Sequence, residues 1–194
     1  GEGAARATDN IRTKPQDFDI RGLIGRVGVG YEFDPNNKVL VGYAYQWGEP
    51  PYGKVEMNEQ RAWQQYEHKE KINSDTLSFR SRLEERTNDI SDDTSVRFRQ
   101  MLKYSHPIST KFSLVASEEF FTNINTVRWG PVSGFDQNRG FVGFGYRIND
   151  NFRTEVGYMN QYMNRSSNYD RMAHIMNITL YGDCLLYTSP SPRD

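Results

Sequence analysis

The stretch LIGRVGVGYEFDPNNKVLVGYAYQW, Leu23 to Trp47, alternates with a period of two. Leu23, Val27, Val29, Tyr31 and Phe33 share one face, and Arg26, Gly28, Gly30 and Glu32 share the other. Successive side chains of a strand point to opposite sides, so this pattern predicts a strand with one apolar and one polar face. Asp34-Pro35-Asn36-Asn37 follows, a run of residues suited to a tight reversal. The pattern then resumes, with Val39, Val41, Tyr43, Tyr45 and Trp47 opposite Gly42, Ala44 and Gln46. The two runs read as a β-hairpin.

The same period recurs to the end of the chain. Further strands are predicted over 58–68, 74–87, 94–105, 111–123, 135–148, 152–163 and 171–182, about nine in all. Many are near the ~9–11 residues a tilted strand needs to cross a bilayer. Connections at 34–37, 69–73, 106–110 and 149–151 are short, while those at 48–57, 88–93, 124–134 and 164–170 tend to be longer. Short turns on one side and longer loops on the other are the habit of outer-membrane barrels. The predicted fold is therefore all-β, an antiparallel up-and-down transmembrane β-barrel. Such barrels have even strand numbers, so nine visible strands imply about ten to twelve in the whole.

Composition agrees with strands rather than helices. Of 194 residues, 13% are aromatic, with 12 Tyr and 11 Phe. Mean hydropathy is −0.80, and no run of 18 apolar residues occurs, which excludes a helical membrane protein but not a barrel. The formal net charge of −1 offers no basic field for nucleic acid.

Three segments are expected: a loop or linker over 1–19 after lost N-terminal strands, the barrel over 20–183, and a foreign tail over 184–194. The beginning has no apolar signal-peptide core, so the start of an exported protein is expected to be missing. The tail, CLLYTSPSPRD, looks like translated sequencing adapter. It contains Cys184, the chain's single cysteine, which therefore says nothing about redox compartment.

The charges sit on one face. Arg80, Arg82, Glu84 and Arg86 oppose Leu77, Phe79 and Leu83, and Arg97, Arg99 and Lys103 oppose Val96, Phe98, Leu102 and Tyr104. Hairpin registers bring Glu84 near Arg97 and Glu119 near Arg139. Opposite charges paired across strands are favourable, and an unpaired one in a narrow interior is costly. A lumen network of Arg80, Arg82, Glu84, Arg86, Arg97, Arg99, Glu119 and Arg139 is expected, which disfavours a wide pore. Adjacent Glu118 and Glu119 resist the scheme, since strict alternation sends one toward lipid unless a bulge intervenes. Which of the two faces out stays open at this point.

The segments SFRSRLEERT (Ser78–Thr87), VRFRQMLKYSHPI (Val96–Ile108), SLVASEEFF (Ser113–Phe121), GFDQNRGFVGFGYRI (Gly134–Ile148) and FRTEVGYMNQY (Phe152–Tyr162) occur in a recognisable order. NEQRAWQQ (Asn58–Gln65) fits the same pattern. Together they resemble the bacterial outer-membrane proteins catalogued as domain of unknown function 2490. The resemblance covers most of Gly22–Tyr181 and implies an envelope β-barrel of Gram-negative bacteria with the outer-membrane bilayer as partner. It implies no catalytic residues.

A search for chemistry returns little. His68, His106 and His174 have no metal-ligand spacing, so no metal, cofactor or catalytic residue is assigned. A lipid hydrolase using His174 with Ser166 or Ser167 is an alternative, but no nucleophile elbow supports it. A soluble lipocalin-like carrier is another, requiring an apolar interior. Asp136, Asn138 and Arg139 form a candidate external-rim site for a cation or sugar, set against a purely local role in holding the adjoining loop. Gly140, Gly143 and Gly145 lie within a strand and are expected to relieve crowding in the lumen.

Overall fold

The structure is a computed structural model, and it describes residues 22–48, 57–164 and 170–182. The 1–19 segment, the 184–194 tail and Ser166 and Ser167 lie outside the described residues.

Nine strands follow one another: β1 (Gly22–Asp34), β2 (Asn37–Gly48), β3 (Met57–Ile72), β4 (Asp75–Asn88), β5 (Ser95–Pro107), β6 (Phe112–Asn123), β7 (Gly134–Arg147), β8 (Phe152–Met163) and β9 (Arg171–Gly182). Each pairs antiparallel with its sequence neighbour, in the order β1 to β9, so the topology is up-and-down. Among the described residues β1 and β9 do not pair with each other, and the sheet forms a half-barrel.

Local chemistry explains the turns. Asp34 Oδ1 accepts the Asn36 N–H at 2.8 Å and, with Oδ2, the Asn37 side-chain amide, closing the first hairpin. Ser109 Oγ accepts from Phe112 N at 3.1 Å, and Asn149 Oδ1 from Phe152 N at 2.8 Å, in the two later short turns. Asn73 takes a φ of 57° between β3 and β4, a left-handed conformation that Asn tolerates better than most residues. The sequence predicts a turn over 69–73 here. Instead Lys69 to Ile72 pair with Ser78 to Asp75, so β3 runs further and the reversal is only Asn73-Ser74.

Curvature is visible in contacts that skip strands. Lys103 on β5 reaches Glu155 on β8 at 2.5 Å. Flat strands ~4.8 Å apart would hold these elements about 14 Å from each other. Glycines on the concave face create the room. A Cβ at Gly42 would lie 2.3 Å from the Trp63 ring, and one at Gly28 2.6 Å from it, so the indole of β3 lies over the bare backbone of β1 and β2. Gly143 and Gly157, paired across β7 and β8, leave space beside the Phe141 ring in the same way. Gly140 differs from the expectation for its neighbours. It lies on the convex face, where a Cβ would meet Glu118 Oε2 at 2.9 Å. Gly143 is three positions further on, and an odd spacing puts the two on opposite faces.

Candidate functional site

The two faces of the sheet are inverted relative to a soluble protein. Val29 is 73% exposed and Met176 79%, whereas Glu84 is 1% and Arg82 3%. The buried side chains are mostly charged or amide-bearing, with Ala44, Trp63, Val115, Phe121 and Ile175 the apolar ones within strands. Period two explains the sorting. On β3 the odd positions Glu59, Arg61, Trp63 and Gln65 are buried, and on β4 the even positions Arg82, Glu84 and Arg86.

Carboxylates organise the concave face. Glu59 accepts a two-pronged pair from Arg86, Nε at 2.6 Å and Nη2 at 2.9 Å, and a further bond from Arg61 Nε at 2.5 Å. Glu84 accepts from Arg97 through Nε at 3.0 Å and from Arg99 Nη1 at 2.6 Å. Arg99 continues to Glu119 Oε1 at 2.7 Å, and Arg80 Nη2 meets that same oxygen at 2.7 Å. Arg82 donates from Nε to Gln65 Oε1 at 2.5 Å and stacks 4.6 Å over the Trp63 ring. Phe121 is fully buried, with the guanidiniums of Arg97, Arg99 and Arg139 at 5.3, 4.5 and 4.6 Å from its ring. Bidentate and stacked guanidinium geometry of this kind selects Arg over Lys.

Glu119 faces inward and Glu118 outward. The register shift on β6 falls between Phe121 and Thr122, so alternation through the two glutamates is uninterrupted. Glu118 Oε1 accepts the Asn138 amide at 2.7 Å on the convex face. That same alternation parts two of the rim residues, Asn138 and Arg139. Asn138 points outward and Arg139 inward to Phe121, while the Asp136 backbone carbonyl accepts from Asn164 N at 2.8 Å. Asn138 and Arg139 therefore do not converge, because adjacent strand residues point to opposite faces.

His174 lies on the convex face, where Nδ1 bonds the Tyr158 hydroxyl with the rings 5.9 Å apart. His106 Nδ1 pairs with Asp75 Oδ1 at 2.6 Å near a turn. Among the described residues no group of His, Cys, Asp or Glu has metal-site geometry.

Several residues of the network escape a reading of the β4 and β5 charges alone. Glu59, Arg61 and Gln65 are three of them, although NEQRAWQQ carries their common parity. Glu155 is another, paired to Lys103 and to the Tyr181 hydroxyl at 3.0 Å. At the end of the sheet carrying the longer loops, Trp129 of the β6–β7 connection lies 5.0 Å from Arg86 and donates Nε1–H to the Asp93 carbonyl at 3.0 Å. Arg128 clasps the Asp93 carboxylate with Nε at 2.8 Å and Nη2 at 3.0 Å. Those bonds hold the Asp93 carboxyl down at about 2. The β4–β5 and β6–β7 loops are thus joined over one end of the concavity.

Comparison with known proteins gives a family but no activity. The family described as protein of unknown function (DUF2490) matches residues 2–173. An uncharacterised protein of Methylorubrum extorquens is 28% identical over 163 residues, covering 82% of this chain and 71% of that protein. A solved structure, the outer-membrane expressed OmpT of Vibrio cholerae, superposes with a TM-score of 0.49 at 10% identity. That superposition covers 82% of this chain, which spans 56% of the length of that structure.

Proposed function

We propose a membrane role for this chain, which belongs to the DUF2490 family of proteins of unknown function. Its strands form part of the wall of an outer-membrane β-barrel that serves a structural or binding role, with the concave charged face as lumen. The inversion of burial carries this reading. Val27, Tyr31, Phe144 and Ile178 project from the convex face, each more than half exposed. Hydrocarbon is the solvent in which such a face is stable and in which every backbone group must be satisfied between strands. Tyrosines near the strand ends add support. The hydroxyls of Tyr45 and Tyr162 find Asn58 and Asp170 toward one rim, and those of Tyr66 and Tyr104 find Asn37 and Asp75 toward the other. An apolar body with a polar tip suits the two interfaces of a bilayer.

Ion pairs packed across the concavity weigh against a wide open pore. The charged lining equally weighs against a lipocalin-like carrier, whose interior would be apolar. The test is expression of the full-length gene, followed by outer-membrane fractionation and gel mobility with and without heating. A heat-shifted band in the outer-membrane fraction is expected. A soluble, heat-indifferent product would overturn the reading and favour the soluble carrier.

A further inference from the structure

Every Lys and Arg within the nine strands has inward parity, while strand carboxylates divide between the faces, with Glu85 and Glu118 outward. The chain as a whole is nearly neutral, at −1, so this is a sorting of charge rather than a basic composition. Sorting leaves the concave face cationic. In the middle of the wall Glu119 faces three guanidiniums, one of which, Arg99, also bonds Glu84. Arg80 and Arg99 share its Oε1, and Arg139 is its register partner across β6 and β7. Toward the short-turn end, Glu155 takes two bonds from Lys103, and Arg153 lies 4.3 Å over the Tyr181 ring beside them. Both groups line one cavity of about 1920 Å³.

We infer that this cavity binds a phosphoryl oxyanion, with Arg80, Arg99, Lys103, Arg139 and Arg153 as its cationic wall. A concave surface with an excess of one sign and low-dielectric walls concentrates counter-ions. Planar guanidinium forks fit the oxygens of a tetrahedral oxyanion in bidentate fashion, and a multivalent ion is held by several forks at once. Tyr181 and Phe121 fix the orientation of the arginines that stack on them, so little side-chain freedom is lost on binding. The inference rests on the barrel reading only for the identity of the cavity as a lumen.

The experiment uses the full-length protein folded in detergent and titrated calorimetrically with inorganic phosphate and, separately, with dihexanoyl phosphatidic acid. Binding of either that weakens with added salt is expected, and the better probe tells a free source from a lipid-borne one. Arg139→Gln should weaken binding about tenfold and Glu155→Gln should tighten it, because one removes a charge-assisted donor and the other a competing carboxylate. Arg153→Gln, at an exposed position, replaces Arg139→Gln if that variant loses its heat-shifted band. A protein that shows the heat shift but binds neither probe, or binds them equally in all variants, overturns this inference and leaves the barrel reading standing. Phosphate binding without a heat shift would support the site and overturn the membrane reading.

Discussion

Removing the charge of Glu84 leaves Arg97 and Arg99 without their shared counter-charge in a buried setting. Glu84→Gln is therefore expected to destabilise the folded protein by about 3 kcal/mol in denaturant titrations, the usual cost of stranding a buried charge. The neighbouring glutamates of β6 give a sharper contrast. Glu119→Leu should cost a comparable ~3 kcal/mol for the same reason. Glu118→Leu exchanges a convex-face carboxylate for an apolar side chain and should stabilise by up to about 1 kcal/mol in bilayers. Equal effects from the two leucine variants would contradict the facing described above. Gly42 tests packing rather than charge. Its missing Cβ leaves 2.3 Å both to the Trp63 ring and to the Val27 carbonyl, and that backbone atom cannot move aside. Gly42→Ala is expected to cost about 2 kcal/mol through overpacking, with a shift in Trp63 fluorescence as its local signature.

At the scale of elements, the latch between the β4–β5 and β6–β7 loops has a predictable pH response. Asp93 drops from an ordinary 3.8 to about 2 because Arg128 bonds its carboxylate. A depressed acid contributes stability that is fully present above its unfolded value and lost as pH falls through its folded one. The latch should hold unchanged above pH ~4 and open as pH approaches ~2. Hydrogen exchange at the Arg128 amide, which donates to Asp93 Oδ2 at 3.0 Å, reads this directly. Asp93→Asn should speed that exchange at neutral pH, and an unchanged rate would remove the latch from the argument. The strands around these loops were largely legible in sequence, since alternation and Asx-type turns act between near neighbours. The end of β3 was not. Lys69, Glu70 and Lys71 look like turn residues by polarity, yet register with β4 extends the ladder through them.

At the scale of the whole molecule, the facing of the sheet can be read with paired cysteines in a Cys184→Ser background. Val142→Cys on the convex face of β7 should be quenched by a lipid-borne nitroxide after fluorophore labelling. Thr179→Cys on the concave face of β9 should respond to a water-soluble quencher instead. The reverse pattern would mean that the charged face, not the apolar one, is outermost. The sorting of residues onto two faces, the nine-strand count and the order of hairpins follow from the sequence, because period two and turn chemistry are local. The partners of the charges do not. Glu84 with Arg97 is one hairpin apart and can be counted, but Arg80 with Glu119 skips a strand, and Lys103 with Glu155 skips two. Such pairs exist only once the sheet curls, and the curl depends on glycines paired across strands beside Trp63 and Phe141. Curvature is a property of all the strands together, so the tertiary structure alone decided which cations share a carboxylate and where positive charge gathers.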